Sequence, residues 1–286
     1  SPQLTLETGA IDAIASYTSG NGTTTLTFNY TVGFGHENSD LEYNSTNALA
    51  LNSGTIKDAA GNNVTLTLPG LGGVGSLANN KALVIDGVVP KVNFVSANTI
   101  DGYYKAGDTL VVTVAFSEIV AVTGVLQLVL ETGINNAVIF YTGGSGTTTL
   151  NFNYIIESGH NNSDLDYVNT NSLSLINGLI RDVAGNDANL TLLEPGSSGS
   201  LSANKALIVD AIIPTVSSVS STTLDSIYNI GDTLVILVNF PETMVVDTSG
   251  GKPQLSLETG SANAVVDYIS GSGSTALSFH YIIVQD

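Results

Sequence analysis

Apolar and polar residues alternate in short blocks along this chain, with the two-residue period of extended strands. Thr109 to Ser117 (TLVVTVAFS), Leu126 to Leu130, Ala137 to Tyr141, Thr147 to Ile156 (TTTLNFNYII) and Leu190 to Leu193 alternate or run apolar, with many β-branched side chains. Such residues suit a pleated, half-buried surface. Turn signals interrupt the blocks every 8 to 12 residues or so. Gly143-Gly144-Ser145-Gly146 and Gly185-Asn186 tolerate positive φ, and Asn177-Gly178 reads as a hairpin-type pair. No segment carries helical periodicity, so the pattern predicts an all-β chain.

The blocks recur. Gln3-Leu4-Thr5-Leu6-Glu7-Thr8-Gly9 returns 124 residues later from Gln127 to Gly133, and again after 127 more from Gln254 to Gly260. Tyr17 to Tyr30 (YTSGNGTTTLTFNY) returns as Tyr141 to Tyr154 (YTGGSGTTTLNFNY), and more loosely as Tyr268 to Tyr281. Self-similarity at a fixed period is the signature of a tandem array. Two strand-then-proline segments, 84–90 (VIDGVVP) and 208–214 (IVDAIIP), mark the linkers. They divide the chain into the C-terminal part of a repeat (1–89), one complete repeat (90–213) and the N-terminal part of another (214–286). The residues are therefore expected to be a window on a longer array. A bolder expectation has the first strands of one chain completing the partial repeat of the next, although 252–286 duplicates 1–35, so the two fragments overlap. About seven or eight antiparallel strands per repeat is the profile of an immunoglobulin-like β-sandwich.

The segments YKAGDTLVVTVAFSEIVAVTG (104–124), LETG, YTGGSGTTTLNFNY, SDLDY, IRDVAGN and ANKALIVD together resemble the tandem Ig-like repeats of very large bacterial surface and secreted proteins. The resemblance covers essentially the whole chain. It implies tandem Ig-like sandwiches in the extender region of an adhesin or in an extracellular filament, and related arrays often bind calcium between domains.

Composition narrows the function classes. The chain has 25 acidic and 7 basic residues, a formal net charge of −18, which repels a phosphate backbone and an anionic bilayer. No apolar run reaches the 18 or so residues of a membrane span. The absence of cysteine removes disulfides, thiolate chemistry and the usual structural zinc. His36 and His160 are equivalent loop positions suited to hydrogen bonding, His280 replaces an Asn of the other repeats, and no nucleophile motif such as G-x-S-x-G is present. The chain is not expected to be an enzyme.

The carboxylates are more informative, because hard cations take several oxygen ligands that strand-end loops can converge. Counting strand directions brings Glu7 and Asp40 of one repeat toward Glu118 and Asp182 of the next around Asp86. At the second linker, Glu131, Asp164 and Asp166 gather around Asp210, with Glu242 beyond. Without a cation such clusters repel, so calcium is the expected cofactor; the competing reading is a solvated acidic surface with Asp58 and Asp182 capping D-x-A-G-N turns. N-x-[ST] sequons at Asn21, Asn44, Asn63, Asn161 and Asn189 are glycosylation candidates. Thr23 to Thr27 reads as ordinary outward strand threonine, and Lys81 and Lys205 near Asn residues raise an intramolecular isopeptide bond. The expected role is structural: a stalk, filament or large-adhesin repeat at the cell surface or outside the cell, whose partners are other copies of the repeat or chain. A ligand-binding adhesin module, with a pocket in a repeat-specific loop such as 241–251 against 117–124, is the alternative.

Overall fold

A computed structural model describes residues 1–285. Extended backbone dominates, and the chain falls into two compact units, Ser1–Ala211 and Ile212–Asp286. Nearly every strand pairing is antiparallel, as the alternating pattern requires; the exception is Gly102–Tyr104, which runs parallel to Leu207–Asp210.

One strand organises residues 90–211. Thr109–Leu130 runs for 22 residues. Its first half lies between Val92–Ala97 and Thr147–Ile155, with Thr113 opposite both Ser96 and Asn151. Its second half lies between Leu173–Arg181 and Ala137–Gly143, with Leu128 opposite both Leu173 and Ile139. A register shift between Ala115 and Val120 marks the passage from one pairing set to the other, the local bend that an extra residue produces. Strand alternation sends Leu110, Val112, Val114, Phe116, Leu126, Leu128 and Leu130 inward, and each is at most 3% exposed. They meet Leu150, Phe152, Tyr154, Leu165, Tyr167 and Val209 in one core. Burying an aliphatic or aromatic side chain of this size stabilises the fold by roughly 1.5–3 kcal/mol.

Several sequence expectations are corrected. Residues 117–124, read as a loop, belong to the long strand. Asn177-Gly178 is no hairpin turn but lies inside Leu173–Arg181, facing Val125 and Gly124 at a second register shift. Gly178 has φ 111°, and a Cβ there would fall 1.9 Å from the Thr123 carbonyl oxygen. Glycine is thus required by close backbone approach across the ladder. Leu190–Leu193 forms no strand: Leu192 is buried and donates its N–H to Thr170, but its neighbours make no ladder. Two one-turn helices, Leu77–Asn80 and Leu201–Asn204, interrupt the β pattern, started by Ser76 and Ser200, whose hydroxyls accept from the Asn79 and Ala203 N–H groups.

Residues 1–89 repeat part of this plan in shorter strands. Gln3–Glu7 pairs with Ala13–Ser19, which pairs with Thr27–Asn29, while Glu42–Tyr43 and Leu49–Ala50 flank Gln3–Glu7 on its other side. Leu6, Ala15, Leu41 and Ile85 form a small core. In the second unit, Ser218–Ser221, Thr233–Met244, Ser274–Ile282, Ala264–Ser270 and Gln254–Leu257 follow in that spatial order, over a core of Val266, Tyr268, Leu277 and Phe279.

Candidate functional site

The last strand of residues 1–89, Ile85–Asp86, pairs with Glu37–Asn38, so Asp86 stands opposite Glu37. The Asp86 side chain accepts the Val88 N–H at 3.1 Å, which turns the chain toward Pro90. From the next repeat come two more carboxylates. Glu118 sits where the long strand shifts register, and Asp182 closes the D-x-A-G-N turn. Asp182 is buried and held firmly: its Oδ1 accepts the N–H groups of Gly185 (2.6 Å) and Asn186 (2.8 Å), and its Oδ2 accepts from the Asn186 side-chain amide (2.7 Å). That amide also donates to the Asp86 main-chain carbonyl at 3.1 Å, tying the two repeats together. Carboxylate oxygens of Asp86, Glu118 and Asp182 lie within 4.8 Å of one another.

The electrostatics are unfavourable for three charges. Burial, and then the charges of Asp86, Asp182 and Glu37, hold the Glu118 carboxyl above the usual carboxylate range. Arg181, next to Asp182 in sequence, donates its Nε instead to Asp187 at 2.6 Å. Three carboxylates from two repeats present only oxygen, the donor set of a hard divalent cation, whose remaining positions water would fill.

The other acidic candidates stand elsewhere. Glu7 accepts the Gly9 N–H at 3.0 Å and Asp40 lies exposed in a turn capped by Asn38; neither belongs to the cluster among the described residues. Glu131 and Asp164 repeat those arrangements: Glu131 accepts from Gly133 and Asn162, and Asp164 is exposed. Asp210 ends its strand opposite Asn161. Glu242 lies near the end of Thr233–Met244 in the second unit. Asp166 is a structural anchor: it accepts from Tyr167 (2.9 Å), Gly196 (3.0 Å), Leu201 (3.3 Å) and the Ser202 hydroxyl (2.6 Å), fixing the start of the short helix. Its counterpart Glu42 does the same with Tyr43, Gly72, Leu77 and Ala78. Burial pushes the Glu42 carboxyl up, but hydrogen bonds from Ser76 and these backbone groups outweigh it and leave the group below its usual range.

Sequence reasoning missed Glu37 and Asn186 as members of the junction. Glu37 was signalled by standing where the next repeat has Asn161, one more charge at this linker than at the following one. Beside the carboxylates an apolar groove of about 800 Å³ runs between Phe34 and Val84 of one repeat and Val183 of the next.

The histidines form a repeated pair of local locks. Tyr30 and Tyr154 hydroxyls lie 2.7 Å from Nδ1 of His36 and His160, and the same nitrogens accept the N–H groups of Gly33 (3.0 Å) and Glu157 (3.2 Å). A nitrogen that accepts a backbone N–H carries no proton, so the tyrosines donate. The sequon asparagines Asn21, Asn44, Asn63, Asn161 and Asn189 are exposed. Lys205 makes an ion pair with Asp101 at 3.5 Å. No helix among the described residues is long and apolar enough to cross a membrane. Comparisons with protein-family models, with curated proteins and with solved structures find no match to this chain.

Proposed function

We propose that the chain is a structural segment of a tandem array of Ig-like β-sandwich repeats outside the cell, in a filament, stalk or large adhesin, with no catalytic role. Calcium bound by Asp86, Glu118 and Asp182 fixes one repeat on the next. One observation carries this reading: the convergent carboxylates come from both repeats, and the Asn186 amide crosses between the same two partners. A surface residue cluster serving only solubility would have no reason to be assembled across a linker.

The test is calcium titration of the full chain with thermal unfolding as the readout. An ion that binds only the folded junction adds about 2.7 kcal/mol at a hundred times its dissociation constant, and so raises the melting temperature of a unit this size by about 5–10 °C. Glu118→Gln should abolish that gain. In chelator the same variant should melt slightly higher than the parent, because a carboxyl whose folded pKa is raised costs stability once pH climbs above the ordinary glutamate range. The cost is absent below that range, so parent and variant should converge in acid. Sodium at matched ionic strength giving the same rise as calcium would reduce the cluster to a screened acidic surface.

A further inference from the structure

The strand edges of residues 90–211 are treated differently. Beside Val92–Ala97 the Gly199 carbonyl accepts the Val95 N–H and the Asn204 amide donates to the Val95 carbonyl, each at 2.8 Å. Gly102–Tyr104 stands between the charges of Asp101 and Lys105. Leu173–Arg181 ends its sheet: Thr109–Leu130 lies along one side, and no strand among the described residues pairs with the other. The chain closes in at both ends of this strand, where the Thr170 carbonyl accepts the Leu192 N–H and the Ile180 carbonyl accepts the Ala188 N–H, each at 2.9 Å. Between these caps Ile176 and Leu179 are 56% and 42% exposed. A bare edge offers a row of donors and acceptors to another strand, and charges or proline on it are the usual protection. From Tyr167 to Ile180 this chain of net charge −18 carries neither.

The register shift sets the geometry of that edge. Val125 stands opposite Asn177 and Leu126 opposite Leu175, so Ile176 is the extra residue. Leu173 and Ile180 are an odd number of residues apart, and in a regular strand they would point to opposite faces. The extra residue brings both into the core, where each is at most 3% exposed, and Leu175 packs against the same core. Gly178, two residues before Ile180, shares that face. Ser174 and Leu179 are left on the outer one, where Ser174 accepts from the Gln127 amide at 3.1 Å. Two such edges laid antiparallel about a two-fold axis between Ile176 and Asn177 set Leu175 opposite Gly178, Ser174 opposite Leu179 and Ile176 opposite Asn177. Core-facing positions then meet core-facing ones and outer meet outer. An edge bent by a bulge fits a regular strand poorly, but here each bend meets its own copy.

We propose that residues 174–179 form a pairing edge for the same residues of a second copy of this chain, joined antiparallel about that axis. Charge selects this occupant. A two-fold contact sets a surface against itself, so an acidic edge would repel its copy, and this stretch is neutral. A basic partner, the kind that the rest of the surface attracts, finds no carboxylate along it. Pairing joins the donors and acceptors of the two edges and covers Ile176 and Leu179. Because the contact is isologous, it closes as a dimer and does not propagate. Two copies of charge −18 repel at long range, so salt should promote the association. In the array proposed above the contact ties two arrays side by side, and only that role rests on the earlier reading. The paired stretch contains none of the junction carboxylates, so its failure would leave the cation at Asp86 untouched.

The experiment measures the mass of the full chain by sedimentation over a series of concentrations, in chelator, at low and high salt. Mass should climb from 29.4 kDa toward twice that value, sooner in salt. Ile176→Lys places like charges beside the axis and should weaken association at least about tenfold. Its melting temperature, read where the chain is monomeric, should stay that of the parent, because Ile176 is exposed. Ile134→Lys, at a fully exposed position away from the edge, adds the same charge and should not weaken association. The chain has no cysteine, so Ile176→Cys supplies a single thiol that oxidation should join to its own copy, whereas Ile134→Cys should stay monomeric under the same treatment. A mass of 29.4 kDa throughout overturns the proposal. So does association that Ile176→Lys leaves unchanged, that both lysine variants weaken alike, or that appears only when calcium replaces the chelator.

Discussion

Residues 17–30 and 141–154 carry almost the same sequence in two different settings. In the later copy the strand Thr147–Ile155 begins right after the Gly-Ser-Gly turn; in the earlier one the residues Thr23 to Leu26 form no strand, and only Thr27–Asn29 pairs. The local hydrogen bonds of the turn are alike in both, with Thr23 and Thr147 hydroxyls each donating to a glycine carbonyl at 2.8 Å. What differs is the neighbour. Thr109–Leu130 lies along the later copy and nothing in the described chain takes that place along the earlier one. Strand propensity is thus permissive, and the partner strand decides how far the ladder runs.

That comparison can be broken most directly at its aromatic centre. Phe152 is fully buried and Phe28 is not, although both stand edge-on to a tyrosine at about the same distance. Phe152→Ala should cost about 3–5 kcal/mol in urea unfolding, and Phe28→Ala about 1–2 kcal/mol. Equal costs would mean that the two settings are energetically alike. Gly178 against Gly54 is the next contrast. Gly178→Ala meets a carbonyl oxygen 1.9 Å away at φ 111°, whereas Gly54 has no positive φ and its closest backbone oxygen would lie 2.9 Å from the new atom. Losses of about 2–3 kcal/mol and about 1 kcal/mol are expected, read as shifts in the denaturation midpoint. The smallest contrast is between the anchors. Asp166→Asn and Glu42→Gln should each cost about 1–2 kcal/mol, since each removes charge from hydrogen bonds to several N–H groups. Glu42 is held below its usual range, so its contribution is present above the ordinary glutamate pKa and is lost as pH falls through the folded value. The Glu42→Gln variant should therefore lose less stability than the parent on acidification, and parallel pH curves would disprove the assignment.

The repeat, the strand period and the turn glycines were legible because each is a local pattern with one physical meaning. Thr147–Ile155 and Ala137–Gly143 follow the alternation almost to the residue. The length of Thr109–Leu130 was not legible: Ser117, Glu118 and Gly124 look like a turn, and only pairing with Leu173–Arg181 draws them into a strand. Asn177-Gly178 misled for the same reason, since a glycine demanded by a facing backbone and one demanded by a hairpin look identical in sequence. At the junction, Asp86, Glu118 and Asp182 could be chosen by counting strand directions. Glu7 and Asp40 could not be separated from them, because that count fixes the end of a repeat and not the point on its rim. Asp166 was misread because its acceptor role depends on a one-turn helix too short to show a period.

The Asn186 amide donates one hydrogen to Asp182 within its own turn and the other to the Asp86 carbonyl of the preceding repeat. Gly87 to Pro90 is a second route between the same two bodies, so force along the chain has two parallel paths there. A twist about the covalent connector must shear the amide's bonds, and a pull must stretch them together with the Glu37–Asp86 pairing. A single linker would behave as a swivel. With the amide in place the joint resists torque as well as tension, and its lever arm is only the few ångströms between the two carbonyl-side contacts and the backbone beside them.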